Sequence, residues 1–136
     1  MTKTVLVTGA GSGFGKSTSI ALAARGHKVI ASTETDAQAE ALAQEAPELG
    51  VERIDITGND VDRVREWDID VLINNAGMGQ TGPMADVPID RVRKVFEVNV
   101  FGTLAITQRV LAGMIKRGSG RIIMMSSVGG LDSFPT

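Results

Sequence analysis

The sequence predicts a three-layer α/β fold built on a parallel sheet. Short apolar runs rich in β-branched residues alternate with longer segments of helical character, and a glycine-rich loop joins the first strand to the first helix. Alternation of this kind is typical of β-α-β units, whose parallel strands are covered by helices. A chain of 136 residues, 43% of them hydrophobic, suits one domain with a substantial core. The predicted strands are residues 4–7, 27–33, 51–57, 71–73 and 121–125, and the predicted helices are 16–25, 36–46, 59–67 and 89–117.

The composition narrows the functional class. The formal net charge of −2 does not suggest a nucleic-acid partner, and the absence of cysteine excludes disulfides and thiol chemistry. Because Met1 lies only a few residues before the first predicted strand, we expect no signal peptide. We also expect no membrane-spanning segment and no membrane partner. A soluble cytoplasmic protein is the expected class, and we assign no metal ligands.

The glycine-rich loop predicts a phosphate-binding site. Gly9, Gly11, Gly13 and Gly15 fall within seven residues, directly after a strand and directly before a helix. The first N–H groups of a helix are unpaired and attract anions, and a backbone without side chains lets the anion approach closely. Strand, loop and helix in this order are therefore expected to hold a phosphate group.

The spacing of the glycines shows which of the known phosphate-binding sequence patterns this loop matches. The dinucleotide fingerprint G-x-G-x-x-G fails, because Phe14 or Lys16 falls where the third glycine belongs. The Walker A pattern almost fits, with Ala10 in place of its first glycine, so a nucleoside triphosphatase stays an alternative. The pattern that fits fully is Thr-Gly-x-x-x-Gly-x-Gly from Thr8 to Gly15. It resembles the glycine motif of the short-chain dehydrogenase/reductase family.

A second motif follows the fourth predicted strand. Asn74-Asn75-Ala76-Gly77 resembles the Asn-Asn-Ala-Gly motif of the same family, where it supports the central sheet and lines the cofactor pocket. Two amides at the end of a buried strand are unusual, because buried amides need several hydrogen-bond partners. Asn74 also stands where a triphosphatase would carry an acid, which weighs against the Walker alternative.

The resemblance implies a Rossmann-like fold with the strand order 3-2-1-4-5 and a cofactor that is NAD or NADP. It covers residues 1–136, which correspond to the N-terminal part of a family domain. The residues that the resemblance places at the cofactor are Gly9, Gly11, Ser12, Gly13, Phe14, Gly15, Thr33, Glu34, Asp55, Ile56, Asn75, Ala76 and Gly77.

The choice between NAD and NADP depends on the end of the second strand, where such folds contact the adenosine ribose. Thr33 stands at that point, and the acid Glu34 follows one position later. A carboxylate would repel a 2′-phosphate, and no arginine stands nearby to bind one. Glu34 therefore favours NAD, unless it is only a solvated loop residue.

Two residues match the catalytic positions of the family. Asn99, in the segment Asn-Val-x-Gly, corresponds to the asparagine that kinks the helix and holds a water in the proton relay. Ser127 corresponds to the serine that hydrogen-bonds the substrate, and Ser126 is the alternative. The resemblance thus implies an oxidoreductase that transfers hydride between nicotinamide and a small carbonyl or alcohol substrate, with a homo-oligomer as the complete protein.

The other two catalytic positions are not found in this sequence. In the family a tyrosine and then a lysine follow the serine, and the tyrosine would fall beyond Thr136. The 136 residues contain no tyrosine at all. We therefore expect the chain alone to be inactive, and a dinucleotide-binding module without turnover is the second hypothesis.

Overall fold

The predicted fold class is confirmed. A computed structural model describes residues 1–131, and residues 132–136 of the predicted domain lie outside this described part. Its five-stranded parallel sheet has the order β3-β2-β1-β4-β5. The elements are β1 (Thr4–Val7), α1 (Gly13–Ala24), β2 (Lys28–Thr33), α2 (Asp36–Glu45), β3 (Gly50–Arg53), a 3-10 helix (Asn59–Glu66), β4 (Val71–Asn74), α3 (Ile89–Phe96), a π-helical segment (Glu97–Gly102), α4 (Thr103–Arg117), β5 (Arg121–Met124) and a 3-10 turn (Val128–Gly130).

The sheet separates two apolar clusters, as a three-layer fold requires. Strand residues alternate between the faces, so Leu6 and Leu72 point to one side while Val7 and Ile73 point to the other. The 3-10 helix and α4 cover the first face, and α1 and α2 cover the second. Because both faces of the central strands are covered, these strands are continuously apolar rather than alternating. Their carboxyl ends form the edge from which the polar loops emerge.

The third predicted strand is shorter than expected. β3 ends at Arg53, so Ile54 to Thr57 continue as a loop beyond the carboxyl end of the sheet. Asp55 Oδ1 accepts hydrogen bonds from the backbone N–H of Thr57 at 2.9 Å and from its hydroxyl at 2.7 Å. A local side-chain turn of this kind competes with strand pairing, which explains the early end.

The long predicted helix is continuous but changes its winding in the middle. Glu97–Gly102 forms π-helical turns between α3 and α4. The sequence predicts an approximately helical apolar stripe on this helix, with Asn99 inside it; its residues are Val92, Val95, Phe96, Asn99, Leu104, Leu111 and Ile115. In the structure these residues are half-buried or exposed, with Phe96 54% and Leu104 52% accessible. The sheet instead contacts Ile106, Val110 and Met114. The inserted residue of a π turn shifts the helical phase, so a pattern read at one constant period does not identify the buried face.

The same helix bears on the expectation about membrane-spanning segments. Ile89–Arg117 is long and apolar enough to cross a bilayer by length and composition, with a mean hydropathy of 1.3 in an 18-residue window. The expectation that no apolar run is long enough to span is therefore wrong, whereas the expectation of no membrane partner stays a prediction. Length and composition alone are weak evidence for a span, however, because a helix that packs on the core of a soluble protein can pass the same test.

One ion-pair cluster joins the 3-10 helix to α4. Asp62 Oδ1 accepts from Arg109 Nε at 3.0 Å and from Arg65 Nε at 3.2 Å. The hydrogen bonds from Arg109 and then Arg65 lower the pKa of Asp62. The cluster therefore stabilises the fold above the ordinary pKa of an aspartate, and that contribution is lost as the pH falls through the lowered value. The carboxylate is exposed, so its contribution to stability is small.

The buried centre of β4 should dominate stability. Leu72 is fully buried in the first cluster, and Leu72→Ala should lower the free energy of unfolding by about 2–5 kcal/mol, because it removes packing and leaves a cavity. Leu104→Ala removes the same atoms from an exposed position and should cost about 0.5 kcal/mol or less. Urea unfolding followed by circular dichroism measures both; equal losses would contradict the assigned core.

Candidate functional site

The glycine loop ends in a helix N-terminus that has no side-chain cap. Ser12, the residue before α1, is extended and its hydroxyl makes no capping hydrogen bond, and the first turn of α1 contains no acidic residue. Gly13 begins the helix at a φ of +55°, which glycine adopts without strain. The first N–H groups of α1 are thus available to an anion, and no acidic side chain in the first turn of the helix competes for them.

Hydrogen bonds tie the glycine loop to the segment after β4. The buried hydroxyl of Thr8 accepts from the backbone N–H groups of Asn75 and Ala76, both at 3.0 Å. In the other direction, Asn75 Nδ2 donates to the carbonyl oxygens of Thr8 at 3.0 Å and Gly9 at 3.2 Å. These four bonds fix the glycine loop and the Asn-Asn-Ala-Gly motif against each other at the carboxyl edge of the sheet, and we call this bonded pair of segments the clamp.

Two glycines are required for this close approach. A Cβ on Gly9 would stand 2.7 Å from Ala76 Cα, which is closer than real Cβ contacts. A Cβ on Gly15 would overlap Asn75 Nδ2 and the carbonyl of Gly9. Gly15 therefore serves the packing of α1 on the clamp and lines neither cleft described below.

The first cleft lies at the ends of β2 and β3 and has a volume of about 360 Å³. It brings together nine of the residues predicted for the cofactor. The acids Glu34 and Asp55 stand on its wall beside the glycine loop. The predicted residues that line it are Gly9, Gly11, Ser12, Glu34, Asp55, Ile56, Asn75, Ala76 and Gly77.

The second cleft lies at the ends of β4 and β5 and has a volume of about 640 Å³. Phe14, Asn99 and Ser127 line it, so both predicted catalytic residues face the same space. Ser126 lines it as well. The two clefts share the residues from Asn75 to Met78, so they adjoin at the clamp between the glycine loop and β4.

Two further residues of the predicted cofactor set do not line either cleft. The side chain of Thr33 is buried, and its hydroxyl donates to the carbonyl of Thr35 at 3.2 Å. Gly13 is exposed, and a Cβ built on it would meet no atom within 4 Å. Spacing placed Thr33 at the ribose, whereas in the structure its hydroxyl is bonded to the backbone just before α2.

The side chain of Asn99 is already engaged by the loop after β4. Its Oδ1 accepts from Met78 N at 2.9 Å and its Nδ2 donates to Met78 O at 2.8 Å. Both functions of the amide are therefore used to hold the backbone of Met78. These two bonds hold the Met78 backbone in the wall that the two clefts share. The water-holding role expected for Asn99 stays a prediction, because these bonds concern its side chain only.

Asn74 lies deeper, at the floor of the second cleft. Its Nδ2 donates to Thr107 Oγ1 at 2.9 Å and to Met124 Sδ at 3.3 Å. Its Oδ1 is buried and has no hydrogen-bond partner among residues 1–131. A buried acceptor without a partner is costly, which marks this position as a place where an additional donor would be favourable.

Ser127 is held by a local turn. Its Oγ accepts from the backbone N–H of Gly129 at 3.1 Å, at the start of the 3-10 turn. Because this bond uses an acceptor site of the hydroxyl, its hydrogen remains able to donate into the second cleft.

The sequence interpretation missed several residues of the first cleft. Thr57, Lys94, Val98 and Gln38 line it together with the predicted ones. The only one with a recognisable signal is Gln38, because Thr35-x-x-Gln38 is the pattern of a capping box. Lys94 of α3 and Val98 of the π-helical segment lie far away in sequence, and only the tertiary fold brings them to this wall.

The lysine of the Walker-like pattern is turned away from the clefts. Lys16 Nζ donates to Glu45 Oε2 at 3.0 Å and to Oε1 at 3.1 Å, which ties α1 to the end of α2. Lys16 lines neither cleft, whereas a Walker lysine must reach the phosphates of its nucleotide. This geometry disfavours the triphosphatase alternative.

The hydrogen bonds of the clamp predict how substitutions of Thr8 change the free energy of unfolding. Thr8→Val keeps the shape of the side chain but removes the acceptor of two N–H groups, so it should lower the free energy of unfolding by about 1–3 kcal/mol. Thr8→Ser keeps the hydroxyl and should retain most of that energy. Urea unfolding of the three proteins makes the comparison, and equal stability of the valine and serine variants would show that the hydroxyl is dispensable.

The family comparison agrees with this geometry. The family model "short chain dehydrogenase" matches residues 3–136. The uncharacterized oxidoreductase YusZ of Bacillus subtilis (strain 168) is 39% identical over 145 residues, covering 98% of this chain and 51% of that protein. This chain spans about half the length of the first curated relatives that it matches.

Solved structures show the same fold. Actinorhodin polyketide ketoreductase with NADPH has a TM-score of 0.88 and 28% identity, covering 98% of this chain and 56% of that one. The closed form of serine dehydrogenase complexed with NADP+ also has a TM-score of 0.88, with 30% identity, and covers 96% of this chain and 56% of that one. Together with the family model, the glycine loop and the Asn-Asn-Ala-Gly clamp show that this chain belongs to the short chain dehydrogenase family, a family of oxidoreductases.

Proposed function

We propose that this chain forms the coenzyme-binding part of an NAD(P)-dependent oxidoreductase that acts on a small carbonyl or alcohol substrate. The observation that carries the proposal is the pair of clefts that adjoin beside the uncapped N-terminus of α1. A dinucleotide has two nucleoside halves joined by a pyrophosphate, and this arrangement offers a space for each half with an anion site between them.

The residues present fit a nicotinamide dinucleotide. In the first cleft, Ile56 and Val98 offer apolar surface to an adenine ring. Glu34 and Asp55 offer acceptors to the amino group of the adenine and to the hydroxyl groups of its ribose. In the second cleft, Phe14 offers an apolar surface beside the catalytic candidates. When bound, the nicotinamide would supply or accept the hydride.

Within this part, Ser127 has the clearest chemical role. With its Oγ held by Gly129 N, its hydroxyl hydrogen can donate to the oxygen of a carbonyl substrate and polarise it. Asn99 acts on Met78 and so fixes the wall between the clefts. Neither side chain can deliver a proton to an alkoxide near neutral pH, so the general acid must come from elsewhere.

The exposed apolar side chains of the long helix support the proposal that the complete protein is a homo-oligomer. Phe96, Phe101 and Leu104 are each more than half exposed on this helix. Clusters of this kind mark interaction surfaces in soluble proteins, and we include a homo-oligomeric complete protein in the proposal.

The proposed function predicts that the 136-residue chain alone binds the coenzyme but does not catalyse the reaction. It contains no tyrosine, and the loss of a positioned general acid typically costs about 10²- to 10⁴-fold in rate. The assay combines calorimetry with NAD and NADP and oxidation of NADH or NADPH with a panel of ketones and aldehydes. Rapid oxidation would mean that another group supplies the proton; absence of any coenzyme binding would reject the proposed site.

A further prediction concerns the preference for NAD over NADP. We propose a preference for NAD, because Glu34 lines the first cleft with a negative charge, although two of the similar structures contain NADP(H). Glu34→Arg should raise the affinity for NADP relative to NAD by about tenfold or more, since a guanidinium binds phosphate bidentately. Glu40→Arg makes the same charge change on α2 outside the clefts and is the control. An unchanged ratio in Glu34→Arg would place the 2′ position away from Glu34.

A further inference from the structure

Gln38 closes a capping box at the start of α2, in which its backbone N–H donates a hydrogen bond and its side-chain oxygen accepts two. The backbone N–H of Gln38 donates to Thr35 Oγ1 at 3.3 Å. In return, Gln38 Oε1 accepts from the backbone N–H groups of Glu34 at 3.2 Å and Thr35 at 3.4 Å. Both partners of the amide oxygen are donors, and an amide nitrogen cannot replace that oxygen. The orientation of the amide is therefore fixed by chemistry.

The fixed amide also touches the glycine loop. A Cβ built on Gly11 would lie 3.3 Å from Gln38 Cδ and 3.4 Å from Gln38 Oε1. Gly11, Glu34 and Gln38 all line the first cleft. The amide group thus spans the gap between the end of β2 and the phosphate loop. Its Nε2 forms no hydrogen bond within residues 1–131, so two N–H donors remain available at this wall.

The groups beside this gap complement a hydroxyl. Glu34 can only accept hydrogen bonds when it is ionised, and the free end of Gln38 can only donate them. A hydroxyl group both donates and accepts, so the pair can satisfy it completely. A phosphate only accepts and would meet the charge of Glu34. The donor needs no reorganisation on binding, because the capping box already holds it in place.

We infer that Gln38 is a coenzyme-positioning and specificity residue whose amide nitrogen donates a hydrogen bond to the 2′-oxygen of the adenosine ribose. The inference rests on the proposed function and adds a second group to Glu34 at the C2′ substituent. It also gives the capping box two tasks: it starts α2, and it holds the donor that recognises the ribose.

The test separates these two tasks by a conservative substitution. Glutamate is as suitable as glutamine at this position of a capping box, so Gln38→Glu should keep the helix start and the midpoint of thermal unfolding. It removes the donor, however, and places a second carboxylate beside Glu34. Gln44→Glu makes the same change on the same helix outside the clefts and is the matched control.

The binding measurement uses ADP and 2′-deoxy-ADP with the purified chain, by calorimetry. The unmodified chain should bind ADP more tightly than the deoxy ligand, and Gln38→Glu should reduce that difference by about tenfold, the size expected for one hydrogen bond with a small net contribution. Gln44→Glu should leave the difference unchanged. The ratio of the two ligands isolates the 2′-oxygen, because a general repulsion of the diphosphate affects both equally.

The outcomes distinguish a failure of the inference about Gln38 from a failure of the proposed dinucleotide site. If Gln38→Glu weakens both ligands equally, or neither, the inference about Gln38 is overturned while the dinucleotide site stands. If the unmodified chain binds neither ligand, the proposed function fails together with it. A larger loss for ADP than for 2′-deoxy-ADP, with an unchanged unfolding midpoint, supports the inference.

Discussion

The organisation of the site depends on the hydrogen bonds between Thr8 and Asn75. A phosphate loop can bind an anion only if its backbone is held open in one conformation, because a mobile loop would have to be ordered at the moment of binding. Here the Thr8 hydroxyl and the Asn75 amide bind each other's backbone, and the glycines at 9 and 15 permit the contact. The central strands β1 and β4 therefore determine both the core of the sheet and the shape of the clefts above it.

The sequence was sufficient for the parts of the molecule that depend on local patterns. Apolar runs and glycines identified the strands, their order followed from the family resemblance, and the two motifs identified the clamp. Nine predicted cofactor residues line the first cleft. Lys94 and Val98 could not be predicted, because they lie on α3 and on the π-helical segment, which only the tertiary fold brings to the cleft at the end of β3. Thr33 was assigned by spacing alone; its side chain is buried, bonds the Thr35 carbonyl and lines neither cleft. Spacing along the chain did not reveal that local contact.

The long helix shows why the buried face of residues 89–117 and the contact made by Asn99 could not be predicted from the sequence. A regular period of 3.6 residues was assumed across residues 89–117, but the π-helical segment at Glu97–Gly102 changes the phase. As a result, the residues that contact the sheet are Ile106, Val110 and Met114 rather than the expected stripe. The insertion also brings Asn99 to Met78, a contact on which the wall between the clefts depends. The helical irregularity and the site are thus one feature, and neither can be read from hydrophobic periodicity.

The second cleft has an unusual share of thioether side chains. Met78, Met124 and Met125 line it, and Met124 and Met125 are each about half exposed, at 54% and 50%. Methionine has an unbranched, polarisable side chain that adapts to irregular surfaces. A wall of this composition can follow ligands of different outline without moving the backbone that Asn99 holds. The same sulfur atoms are open to oxidation, and a sulfoxide would turn this adaptable apolar lining polar. Tolerance of shape and sensitivity to peroxide therefore have the same origin in this part of the molecule.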